Sequence, residues 1–107
     1  MVASPANPPA EVFPAAQVTH GRHLYERDCW VCHGPGAISS GVVPDLRRSG
    51  ALTSAEAWQA VVIDGALKDR GMVSFAKYLS KQDAEDLRAY VAERARLLQQ
   101  QEGKKPQ

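Results

Sequence analysis

The run Cys29-Trp30-Val31-Cys32-His33 carries the most specific chemistry in the chain. It is the C-x-x-C-H attachment pattern for a c-type haem. Two thiols at this spacing can each add to one vinyl group of the ring, giving two thioether bonds. His33, the next residue, is then held under the ring and can supply a proximal imidazole to the iron. The chain has two cysteines in all, so no other pair competes for the role. Two other uses of a Cys-x-x-Cys pair fit less well. A thioredoxin-like redox pair needs β-α-β patterning around the motif, and the sequence shows none. A zinc site could recruit His20 or His23 to Cys29, Cys32 and His33, but a second ligand pair at the usual spacing is missing.

The iron's other axial position needs a second donor. Met72 is the one methionine besides Met1, and it sits in an irregular segment from which a loop can bring a thioether over the ring. Soft sulfur favours Fe(II) and raises the potential, which suits an electron carrier. The plain alternative is a methionine that fills core space. His20 and His23 are the rival ligands. They lie on the helix leading directly into the attachment motif, which limits their reach to the opposite face, and both read as surface histidines. A proximal imidazole needs an acceptor for its other ring nitrogen. The backbone carbonyl of Pro44 is the candidate, against a plain turn proline. Arg47, with Arg48 beside it, can pair with a haem propionate because guanidinium suits a carboxylate. A solvated basic pair is the alternative.

These groups need elements to position them, and the pattern predicts helices only. A first helix runs from near Thr19, which can cap it, to Cys29. Gly21 and Tyr25 fall on one face of it. Glycine inside a helix costs ~1 kcal/mol against alanine, so a close backbone crossing at Gly21 would justify it. Residues 34–52 are rich in Gly, Ser and Pro and read as an ordered loop, long enough to wrap a cofactor. A second helix spans about Ala55 to Ile63, opened by Thr53 or Ser54 and closed by Gly65, with Trp58, Val61 and Val62 on one face. After a loop containing Gly71-Met72, a last helix starts at Ser80 with Asp83 in the capping-box position. Ala84, Leu87, Tyr90, Val91 and Leu98 form its apolar stripe. The expected domain is therefore 17–98. Residues 1–16, with Pro5, Pro8, Pro9 and Pro14, read as an extended linker that Phe13 could pin to the domain, and 99–107 as a flexible polar tail.

With 107 residues, one small domain of marginal stability is expected, and a haem would add a large apolar body to its core. The haem-free form is expected to fold poorly. A net charge of +1, from 13 basic and 12 acidic residues, argues against nucleic-acid binding and polyanionic partners. No apolar run approaches the ~20 residues of a membrane span. Residues 1–16 have neither a basic n-region nor an apolar h-region. Haem of this type is attached outside the cytoplasm, so a periplasmic setting implies a signal that was removed or a piece of a longer secreted chain.

Taken in order, Cys29-Trp30-Val31-Cys32-His33, Pro44-Asp45-Leu46 and Gly71-Met72, with Gly21 and Tyr25 before them and Leu87 and Tyr90 after, resemble a class I cytochrome c over roughly residues 17 to 95. The resemblance implies an all-α fold of three to four helices around a covalent haem, with the first and last helices crossing at the glycine. Three longer segments sharpen it: Gly41 through Arg47, Asp64-Gly65-Ala66-Leu67 with Gly71-Met72, and Ser80 through Val91. They look like the C-terminal cytochrome domain of quinohaemoprotein alcohol dehydrogenases, in which a pyrroloquinoline-quinone (PQQ) propeller is joined by a linker to a cytochrome. The propeller is absent here, so dehydrogenase activity does not carry over. What the resemblance implies is a non-enzymatic, monomeric one-electron carrier. Its donor would be a PQQ dehydrogenase domain, and its acceptor another cytochrome, a copper protein or an electrode. A stand-alone soluble cytochrome c and a haem-based sensor or peroxidase are the alternatives.

Overall fold

The computed structural model describes residues 8–29, 47, 50–66 and 74–104. Among them are three α-helices and no strand: α1 (Ala15–Asp28), α2 (Ala55–Val62) and α3 (Lys81–Lys104), with a 3₁₀ turn, Gly50–Thr53, before α2. None of these helices is long and apolar enough to cross a membrane.

Helix α1 starts earlier than the sequence suggests. Pro14 occupies its N-cap with φ −59° and ψ 146°. The Pro14 carbonyl accepts from the amides of Gln17 at 3.0 Å and Val18 at 3.1 Å. A proline there has no amide to leave unsatisfied and its φ is already set for the helix start. Thr19 therefore lies inside α1 and caps nothing, which corrects the expected start. At the other end, the Cys29 amide closes the helix on Tyr25 O at 2.9 Å.

The other two helix starts match expectation. Ser54 caps α2 with its hydroxyl accepting from Ala57 N at 3.2 Å. Ser80 and Asp83 form a reciprocal capping box at α3: Ser80 N donates to Asp83 Oδ2 at 3.0 Å and Asp83 N to Ser80 Oγ at 3.0 Å. Helix α3 continues through Lys104, past the expected boundary at Leu98. The apolar stripe ends there, but Gln99 to Glu102 are good helix formers and need no core contact to extend the helix.

The frame of the molecule is the crossing of α1 and α3. A Cβ built on Gly21 would stand 1.8 Å from the backbone oxygen of Asp86, so only glycine permits the approach. One turn along, the Tyr25 and Tyr90 rings lie 5.3 Å apart at 49°, inside the edge-to-face and tilted range that favours aromatic pairs. Leu24, Leu87 and Val91 fill the seam, and Leu52 and Trp58 join it from the 3₁₀ turn and α2.

Residues 8–14 do not hang free from this frame. Arg88, 1% exposed, donates to Glu85 (Nε–Oε1 2.8 Å, Nη2–Oε2 3.0 Å), to Glu11 Oε2 at 2.7 Å and to Leu52 O at 3.1 Å. Its guanidinium carbon also stands 5.1 Å from the centre of the Phe13 ring, which packs against the core as the sequence suggests. Further along α3, Arg96 donates to the carbonyls of Pro9 and Glu11. Two arginines thus lay the proline-rich segment along α3.

Candidate haem site

The described residues hold one end of the attachment motif. Cys29 is the C-cap of α1, in right-handed helical conformation and half-buried, packed against the core cluster. A thiol at this position is carried by the helix that Gly21 fixes against α3, so the first thioether would be anchored to the α1–α3 crossing. Cys32, His33, Pro44 and Met72, all predicted to serve the haem, lie outside the described residues.

Arg47 is described, and it is buried. A solvated basic residue would not be. Burial of a guanidinium calls for an anionic or carbonyl partner, and Arg47 makes an interaction of its own within the protein. It stands just ahead of the 3₁₀ turn, and that turn packs against α2.

Trp58 on α2 adds a feature that the sequence reading did not draw. The residue is 5% exposed, and its indole Nε1–H is buried with no hydrogen-bond partner among the described groups. A buried N–H left unpaired costs about 1–3 kcal/mol. Native proteins rarely leave one so unless a ligand or water completes it. A haem carboxylate is the kind of acceptor that would satisfy it, alongside Arg47. The sequence placed Trp58 on the core face of α2, and that is correct. The signal available was its N–H: a tryptophan at a core position needs an acceptor as well as a cavity. The orphan Trp58 donor thus fits a group that brings an acceptor oxygen to α2, as a haem carboxylate would.

The described residues on either side of 67–73 are tied to one another at the end of α2. Gly65 takes φ +73°, a left-handed conformation that favours glycine. Phe75 N donates to Val62 O at 2.8 Å. The Ser74 hydroxyl donates to the carbonyl of Ile63 and accepts from Ala76 N at 3.2 Å.

The rival histidines behave as read. His23 is exposed on α1. His20, its side chain 49% exposed, places Nδ1 2.5 Å from Asp86 Oδ2. The second oxygen of that carboxylate accepts from Gln82 Nε2 at 2.9 Å. His20 thus bridges α1 to α3 beside the Gly21 crossing.

Comparison with known proteins bears on the same residues. Residues 16–91 match the family model described as cytochrome c oxidase, cbb3-type, subunit III. The chain is 46% identical over 78 residues to quinohemoprotein alcohol dehydrogenase ADH IIB of Pseudomonas putida, covering 73% of this chain and 11% of that protein. It is 38% identical over 87 residues to the dehydrogenase subunit of a quinone alcohol dehydrogenase of Gluconobacter oxydans, covering 81% and 12%. The solved structure of quinohemoprotein alcohol dehydrogenase ADHIIG from Pseudomonas putida HK5 superposes with a TM-score of 0.79 at 32% identity, over 94% of this chain and 14% of that one. The chain thus spans about an eighth of the length of these relatives.

Proposed function

The chain belongs to the cbb3-type cytochrome c family, whose domains carry covalently bound haem c, and from that premise we propose that it is a one-electron relay with the ring attached at Cys29 and Cys32 and the iron held by His33 and Met72. The observation that carries this reading is the family match over residues 16–91, which contains all four of those residues. The haem, when bound, supplies a reversible Fe(III)/Fe(II) couple.

The chain's own residues do the rest. Cys29 ties the ring to the end of α1. Pro44 would accept from the other nitrogen of His33, fixing the imidazole and raising its basicity. Arg47 and Trp58 would hold propionate oxygens away from water. If His33 and Met72 both hold the iron, no coordination site would remain for a substrate or O₂, so no catalytic residue is assigned. The Gly21–Asp86 crossing and the Tyr25–Tyr90 pair would limit rearrangement between oxidation states and so keep reorganisation small.

The relatives are quinone-dependent alcohol dehydrogenases, which supports the reading that such an enzyme would feed electrons to this domain in the periplasm and that the haem would pass them singly to a cytochrome, a copper protein or an electrode. A reduced-minus-oxidised spectrum with a potentiometric titration tests the core of the reading. A one-electron couple with low-spin bands and a sulfur–iron band near the red edge is expected. Fast, tight binding of cyanide or CO at neutral pH would instead show an open axial site and end the relay reading. Mixing with a reduced PQQ dehydrogenase tests the donor, and failure of the haem to reduce would remove it.

A further inference from the structure

We propose that residues 9–13 form a releasable strap, a conformational latch that docks on α3 and, through Arg88, sets how tightly the 3₁₀ turn before α2 is held. The inference goes beyond the electron-relay reading and does not depend on the axial ligands.

The strap meets α3 with alternate residues. Pro9 is buried, Glu11 reaches Arg88 at 2.7 Å and Phe13 packs on the core. Between them, Ala10 is exposed and Val12 is 88% exposed. That is the period of an extended chain, which turns every second side chain to one surface. Arg96 holds the backbone in this register by donating to the carbonyls of Pro9 and Glu11. Pro14 ends the strap by capping α1. The anchors are few, and two are open to solvent: the Glu11 side chain is 53% exposed and Phe13 is half-buried. A segment held this way belongs to the part of a fold that opens locally, ahead of global unfolding.

Arg88 makes that opening felt elsewhere. Its Nη2 binds Glu11 on the strap, and its Nη1 donates to Leu52 O in the turn at 3.1 Å. Nε and Nη2 also hold Glu85 on its own helix. Glu11 and the Phe13 ring lie against a guanidinium that is 1% exposed. With the strap lifted, water reaches the guanidinium and competes for Nη1, so its bond to Leu52 loses the strength that a dry site gives it. Glu85 keeps the charge paired throughout, so opening strands no lone buried cation. That is what makes the latch releasable. A partner that engages the chain ahead of Pro9 therefore acts on the turn that leads into α2.

The test uses the haem-loaded chain and a glutamate-specific protease, which can cut the Glu11–Val12 bond only when the strap is off α3. Each protein is compared with a peptide of residues 6–16 carrying the same substitution. The cut in the wild type is expected to be at least about tenfold slower than in its peptide, and Phe13→Ala to speed it about tenfold, the scale of one apolar anchor. Arg96→Ala is expected to speed it about three- to tenfold, in line with its hydrogen bonds, and gives a second variant should Phe13→Ala fold poorly. The haem spectrum is expected to stay constant while the cut proceeds. In isotope-labelled protein, the Leu52 carbonyl-carbon and Thr53 amide resonances are expected to shift in the released variants, while the Ser80 amide in its capping box stays put. A wild-type cut at the peptide rate overturns the docked strap. Cuts at Glu11, Glu85 and Glu93 that advance together overturn the latch, because the strap would then open only with the whole fold. Faster cutting in both variants with Leu52 and Thr53 unmoved overturns the link through Arg88.

Discussion

Two residues divide the work of the fold between shape and chemistry. Gly21 is a matter of shape. Its missing side chain is what lets α1 lie on the Asp86 carbonyl, and the neighbour is backbone, which cannot swing aside. Gly21→Ala should therefore cost at least ~3 kcal/mol, the scale of overpacking and backbone displacement in a well-packed core. Denaturant titration of the haem-loaded protein checks this, and a loss below 1 kcal/mol would mean the crossing can yield. Trp58 is a matter of chemistry. Its ring fills the core whether or not haem is present, but its N–H has no protein partner among the described residues. Trp58→Phe keeps most of the ring volume and deletes the donor. If a propionate completes that N–H, the haem-loaded variant should lose about 1–2 kcal/mol, the value of a hydrogen bond to a charged acceptor. If none does, deleting an orphan donor should leave stability unchanged or raise it. The sign of the change in melting temperature separates the two.

At the scale of elements, the unexpected piece is the proline-rich segment laid along α3. Burial alone would lower the pKa of Arg88, but its hydrogen bonds to Glu85 and Glu11 outweigh that and hold it charged. The same bond holds the Glu11 carboxyl below the usual carboxylate range. The two acids are unequal. Glu85 meets Arg88 through two bonds with its side chain 21% exposed, whereas Glu11 is 53% exposed. Glu85→Ala should cost about 2–3 kcal/mol, because it strips most of the compensation from a buried cation. Glu11→Gln should cost under ~1 kcal/mol at neutral pH, since solvent screens an exposed pair. The pH dependence has a definite sign. A carboxylate whose folded pKa is lowered stabilises the fold above its unfolded pKa, and that contribution fades as pH falls through the folded value. Glu11→Gln should therefore flatten the acid limb of the stability curve below about pH 5, and an acid limb identical to wild type would show the contact is not formed in solution. What could be read in the sequence follows the same division. The Ser80–Asp83 box, the Ser54 cap and the Gly21–Tyr25 face were legible because each is a local spacing with a local cause. The burial of Arg88 was not, because its partners Leu52 and Glu11 stand 36 and 77 positions away. Nor was the reach of α3 to Lys104, since an apolar stripe marks where a helix is packed, not where it stops.

At the scale of the whole molecule, the described contacts distribute unevenly between a part that stands by itself and a part that waits for a ligand. The α1–α3 pair is self-sufficient in kind: a close crossing, a tilted tyrosine pair and aliphatic side chains between them. The α2 side is not. It holds an indole N–H at 58 with no partner among the described residues, and α2 itself has only eight residues, too few to persist in water without tertiary support. A chain of 107 residues has little surplus stability to carry the Trp58 donor unsatisfied. Haem removal should therefore act on one side of the molecule first. In a haem-free Cys29→Ser/Cys32→Ser chain, far-UV circular dichroism should show reduced helicity and a broad melt without a sharp midpoint. Hydrogen exchange should find residual protection in 81–95 and in 20–28, with 55–62 exchanging at close to the unfolded rate. A cooperative melt with full helicity would show that the protein frame closes without its ligand. Uniform loss of protection across all three helices would show instead that the α1–α3 crossing also depends on the haem. Only the graded pattern fits a frame built by Gly21 and the two tyrosines, onto which the ligand then draws α2.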